Sequence, residues 1–143
     1  MPQSRREQIV REILARIAAA VSPIVVLRQP VIAIPRERTP AVVITVESDA
    51  PVRRANDRME RELVLRVTAL ARDPDDGHTV ADDLVCRAHA ALLADPTLAG
   101  LSLGIAEMDA DWQADDADVE AVAIPVIYRI TYRTLVSDIT QGG

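Results

Sequence analysis

The chain has 143 residues, the size of one domain with one core and little room for a second. Nearly half of them are apolar, yet Phe is absent and Trp112, Tyr128 and Tyr132 are the only aromatics, so the core must come from Ile, Val, Leu and Ala, and stacking platforms for nucleic-acid bases are scarce. The formal charge is −6 and all sixteen cations are Arg, which excludes a Schiff-base lysine, a phosphate-loop lysine and a lysine general base and sets the chain against bare nucleic acid and anionic membranes unless its arginines are segregated.

From Ser4 to Val21, Ile9, Ile13, Ile17 and Ala20, flanked by Val10, Leu14 and Val21, fall within about 140° of arc at roughly 100° per residue, an amphipathic helix. Ser4 followed by Glu7 resembles a capping box, and Ser22-Pro23 stops the helix. Short extended pieces come next, "PIVVLRQ" and "VIAIP", then "PAVVITVES", in which Val42, Ile44 and Val46 alternate with Val43, Thr45 and Glu47. The charged segment "SDAPVRRANDRMERE" lacks periodicity and reads as a long loop or a projecting hairpin tip. Alternation resumes in "ELVLRVTALAR", with Leu63, Leu65, Val67 and Ala69 on one face.

A second helix is expected after "RDPDDGH", with Thr79 as its N-cap, Asp82 at its third position, and a buried stripe of Val80, Leu84, Ala88, Ala91 and Leu92 ending near Ala94. "LSLGIAEMDADW" and "VEAVAIPVIYRITYRT" follow as two strands joined by an acidic connection, the second carrying Val122, Ile124, Val126, Tyr128, Ile130 and Tyr132 on one face. This order predicts a single α+β domain over 1–143: an antiparallel or mixed sheet of four to five strands packed by two helices on one face. Cys86 is the only cysteine, so an internal disulfide and a cysteine zinc site are both ruled out. The first residues lack a signal-peptide apolar core, and the expected place of synthesis is the cytosol.

Three stretches invite chemistry and are better read without it. "DADWQADDADVE", residues 109–120, holds six carboxylates and fits calcium-loop spacing at its first, third and twelfth positions, but Ala114 stands where the sharp turn needs Gly and strands flank it instead of helices. It reads as a hairpin connection kept in water by mutual repulsion, with no metal assigned. "GLSLG" matches the nucleophile-elbow pattern around Ser102, but a helix precedes it, a strand follows, and both His78 and His89 lie upstream, so no catalytic residue and no cofactor is assigned. Asp82, Cys86 and His89 share a helix face without help from a helix N-terminus; Leu93 lies on that same outward face, which is expected to be covered by another subunit. Pro125 interrupts the last strand and predicts a bulge or a sheet edge open to a second chain, with Arg129 and Arg133 lying opposite the Tyr face.

The C-terminal half, a helix ending in "ADPTLAGL", a strand, the acidic "DADW" turn and the closing "YRITYRT" strand, resembles the tail terminator proteins of tailed bacteriophages, and "TPAVVITVESD" after an N-terminal amphipathic helix fits the same pattern. The resemblance covers most of the chain through architectural cues and a closing phrase, without a catalytic signature. It implies a non-enzymatic virion protein of the tail, assembled in the host bacterial cytoplasm: a homohexameric ring that caps the tail tube protein, halts polymerisation, offers a surface to a head-completion or neck protein and lets genome DNA pass through its lumen unbound. A different head-to-tail joining protein, or an unrelated oligomeric α+β binding module, is the alternative. A ring needs two different faces of each subunit to meet. The expected candidates are the face of Cys86, His89 and Leu93 and the strand of Pro125, Arg129 and Arg133. The acids, Asp115 and Asp116 among them, would either line the lumen or meet Arg53, Arg54, Arg58 and Arg61 on an adjoining ring and steer docking.

Overall fold

Helix α1, Arg5–Val21, starts where Ser4 Oγ accepts a hydrogen bond from the Glu7 amide, and it buries Ile9, Val10, Ile13, Ile17 and Val21. The reciprocal half of the capping box is replaced by a tertiary tie. The Glu7 carboxylate accepts from Arg28 on β1 (Val25–Arg28), and that bond, with help from Arg11, holds it below the ordinary carboxylate range. The structure is a computed structural model and describes residues 1–29, 38–73, 75–111 and 121–143. The "VIAIP" segment and most of the acidic connection, Asp115 and Asp116 included, lie outside these residues.

Five strands form one mixed sheet in the order β1-β2-β3-β5-β4, where β2 is Ala41–Ala55, β3 is Arg58–Ala71, β4 is Gly104–Met108 and β5 is Val122–Leu135. β1 runs parallel to β2, and the other three pairings are antiparallel. Leu63, Leu65, Val67, Ala69 and Ala71 of β3 point to the same side as Ile124, Tyr128, Ile130 and Tyr132 of β5, and all join one buried cluster with the stripes of both helices. Both helices therefore cover one face, as the α+β reading expects. On the other face Val43, Val64, Thr68, Leu70 and Ile127 remain half-buried.

The segment read as a loop or hairpin tip is a hairpin. Its strands run to Ala55 and from Arg58, the turn is Asn56-Asp57, and β5 backs it up to the Arg58↔Leu135 pair. Asn56 takes φ 57°, a left-handed conformation that Asn tolerates. Register shifts between Val46 and Ser48 and between Pro51 and Arg53 exchange the faces of β2, which is why no alternation shows in its sequence.

Two expectations are corrected. Thr79 is not the N-cap of the second helix: α2 is Gly77–Leu93, with Asp76 at the N-cap position but making no side-chain capping bond. The Asp73 carboxylate accepts from the amides of Asp75 and Asp76, starting the turn early, and Gly77 lies against the sheet where a Cβ would come within 3.1 Å of Val122. Nor does Pro125 mark a bulge or an outer strand. β5 lies between β3 and β4, and Pro125 pairs in unbroken register with Thr68. Proline fits there because the β4 pairing ends at Met108↔Ile127, so the missing N–H faces a local edge within an interior strand. Pro51 fits β2 by the same rule, since β1 stops at the Arg28↔Ile44 pair.

After α2 the chain turns back through Leu98, Ala99 and Gly100, all at positive φ, with Leu98 fully buried. Asp95 organises the turn by accepting from the Thr97 hydroxyl and amide, the Ala99 amide and Arg16 of α1, and its carboxyl is held far below the ordinary range by the Thr97 hydroxyl first and then the Ala99 amide and Arg16. A carboxyl with a lowered folded pKa stabilises above its unfolded value, near 3.9, and that contribution disappears as pH falls through the folded value. The Asp95→Asn variant is therefore expected to melt below wild type at neutral pH, with the gap closing as the solution is acidified below about pH 4. A melting difference that stays constant with pH rules out the carboxylate as its source. Among the described residues no helix is long and apolar enough to cross a membrane.

Candidate functional site

The hairpin carries its arginines to one end of the sheet. Arg53, Arg58 and Arg133 line an open cleft of about 220 Å³ with Ala55, Asn56 and Glu60. The register explains the convergence. Arg53 pairs with Glu60 and Glu60 with Arg133, which places these three side chains on the face opposite the helices, and Arg58 follows two residues before Glu60 on the same side. Arg53 Nη2 reaches the Glu60 carboxylate at 3.6 Å, a solvent-exposed pair worth roughly 1 kcal/mol or less. Among the described residues Arg58 and Arg133 make no ion pair, and Gly143 lies against their aliphatic stems.

The other predicted arginines go elsewhere. Arg54 is exposed and donates to the Asn56 carbonyl. Arg61 turns to the helix side, where its Nε donates to Thr134 Oγ1 at 3.1 Å. Arg129 stands exposed in the middle of the bare face, paired in register with Val64. The structure thus brings together three of the named arginines, turns Arg54 and Arg61 to the helix side, and leaves Arg129 on the bare face but further along β5.

A second group of acids lies toward the opposite end. Ala71 pairs with Val122 there, and the exposed Asp73, Asp75 and Asp76 follow directly, while β4 ends level with Arg66 and leads the exposed Asp109 and Asp111 toward the same end. Asp115, Asp116, Asp118 and Glu120, between Asp111 and Val122 in the sequence, lie outside the described residues. Thirteen register steps separate Arg58 from Ala71, about 43 Å at roughly 3.3 Å per residue. The two charged ends of the molecule are out of reach of one another. Composition alone cannot express this polarity, because it depends on which strand ends lie together.

On the helix side, α2 presents Cys86 to solvent with Asp82 Oδ2 4.0 Å from Sγ, and Leu93 is 38% exposed. His89 departs from this outward set: its Nδ1 lies 2.8 Å from the Tyr128 hydroxyl, tying the helix to the sheet. Burial, and then the charge of Glu107, pushes the Tyr128 hydroxyl well above its ordinary pKa, so it stays protonated in that bond. Ser102 is buried and donates its hydroxyl to the Pro96 carbonyl, which fixes it as a turn residue. Among the described residues no group of three or more His, Cys, Asp or Glu is placed to hold a metal ion.

Sequence reasoning missed one buried polar centre. Asp49 of β2 receives the Tyr132 hydroxyl at 2.8 Å from each carboxylate oxygen and Arg6 of α1 at 3.2 Å, joining both long strands to the helix N-terminus. The bulge after Val46 turns Asp49 inward, and no one-dimensional signal marks that turn. No family model matches the chain, and none of the curated proteins matches it.

Proposed function

We propose that this chain is a structural virion protein of a tailed bacteriophage, a tail-terminator-like subunit that forms a homohexameric ring on the end of the tail tube, stops its growth and presents a surface to a head-completion or neck protein. It works by shape and charge complementarity, and no bond in a substrate is made or broken. The observation that carries this reading is the polarity of the sheet, with an arginine-lined cleft at one end and exposed acids at the other. Two unlike, complementary surfaces on one subunit are what a ring closed by rotation requires. The fold adds support, since an antiparallel-rich sheet packed by helices is the architecture that the C-terminal resemblance implies.

In this reading the acidic connection lies toward the lumen or the adjoining ring, and DNA passes without binding because the chain is acidic. In the same reading the protein is a component of the virion tail, assembled in the host bacterial cytoplasm.

The test is a tube-polymerisation assay with tube protein from the same genome, followed by electron microscopy and by sedimentation with and without magnesium. The expected result is tubes of limited length capped by a ring, and a species six times the 15.6 kDa chain mass released from their ends. Tubes that grow as long with the protein as without it, and that carry no added density at their ends, would overturn the proposal.

A further inference from the structure

Arg58 and Arg133 project from the bare face without a carboxylate partner among the described residues, beside an Arg53 held only by an exposed pair. Guanidinium groups present flat forks of donors that fit carboxylates two bonds at a time. Glu60 is the carboxylate inside the cleft and is taken by Arg53, whereas the exposed Asp109 and Asp111 follow Met108, which the register sets level with Arg66, eight steps or about 26 Å from Arg58 at roughly 3.3 Å per residue, so they cannot satisfy the cleft within one molecule. A polyphosphate partner is disfavoured by the net charge of −6, which repels it everywhere except at this cleft.

The geometry points to a second copy of this chain as the occupant: the acidic end of one molecule, with Asp109 and Asp111 leading, seats on the Arg53, Arg58 and Arg133 cleft of the next. The two surfaces differ, so each contact leaves one cleft and one acidic end free. Association continues head to tail until a ring closes or a filament grows, and it does not stop at a dimer. The inference goes beyond the terminator reading, because it names the contact and applies to any head-to-tail assembly of this chain.

Sedimentation velocity of the full chain over a concentration series tests it, at about 50 mM and about 500 mM salt, where the Debye length falls from roughly 14 to 4 Å. Wild type is expected to form species larger than monomer at low salt and to revert to monomer at high salt. Arg58→Glu with Arg133→Glu is expected to weaken low-salt association at least about tenfold, and so is Asp109→Arg with Asp111→Arg. Mixing these two charge-reversed variants restores association, because each cleft then meets an end of opposite sign. A milder pair, Arg58→Gln with Arg133→Gln, serves if charge reversal disturbs the fold, and a thermal melt identifies that case.

Three results overturn the inference: a wild type that stays monomeric at low salt, an association that neither arginine pair weakens, or a mixture of reversed variants that remains monomeric. A fourth reassigns the cleft to phosphate, namely a short DNA duplex held by wild type at about 150 mM salt and lost with the arginine variants. A capped tube unaffected by the arginine variants sinks this contact while sparing the ring, whereas salt-dependent chains that leave tube growth unchanged do the reverse.

Discussion

Ile13→Ala is expected to lower the free energy of unfolding by about 2–5 kcal/mol, the largest effect of any single substitution considered, measured by urea denaturation with the slope unchanged. Ile13 has no solvent exposure and sits centrally in the α1 stripe, between Ile9 and Ile17, in the cluster where α1, α2 and the sheet meet. Among the described residues the aromatic side chains in that cluster are Tyr128 and Tyr132, so branched aliphatics supply most of its volume, and in a close-packed core a hole left at Ile13 is filled only in part. Ile13→Val removes one methylene and is expected to cost only about 0.5–1.5 kcal/mol. Equal losses from the two variants would show that the site collapses freely and that the α1 face is not tightly packed.

Asp49→Ala is expected to cost about 1–3 kcal/mol, because it strands the buried Tyr132 hydroxyl and takes the partner from Arg6. Burial first, then the bond to Asp49, raises the Tyr132 pKa, so the hydroxyl is a neutral donor that needs an acceptor. Asp49 is 12% exposed at its side chain, so water reaches it poorly as a substitute. Adding Tyr132→Phe to Asp49→Ala removes the stranded hydroxyl and is expected to recover part of the loss, so the double variant should be less destabilised than the sum of the two single ones. Strict additivity in the thermal or urea measurements would mean that the hydroxyl and carboxylate do not act as a unit.

Both effects lie at the layer that positions the proposed assembly surface. α1 and the Asp49 centre hold the long β2–β3 hairpin against β5, and the same three strands carry the arginine cleft at one end and lead into the acids at the other. The rigidity of that sheet is what gives its two charged ends a fixed separation. An assembly contact built from exposed charges gains specificity and rate from such fixed placement more than it gains raw affinity.

Local chemistry sufficed for the elements whose physical cause is local. The Ile9, Ile13, Ile17 stripe and the Ser4 cap specify α1, since a period of 3.6 and an oxygen at the N-cap act over a few residues. The alternation in 63–69 and 122–132 likewise specifies β3, β5 and the face each buries, and the element order specifies an α+β sheet with both helices on one side. What depends on neighbours was decided by tertiary structure. Pro125 reads as an edge marker because a lone sequence cannot show that β4 stops short of it. The bulges in β2 erased the alternation that would have revealed the hairpin, and the same bulges turned Asp49 inward to Tyr132. His89 falls on the outward helix face by spacing alone, but the packing of α2 on the sheet brings its Nδ1 onto the Tyr128 hydroxyl. Arg53, Arg58 and Arg133 are separated by up to eighty residues, and only strand register, which is set by pairing across the sheet, puts them around one cleft and a second group of acids toward the far end.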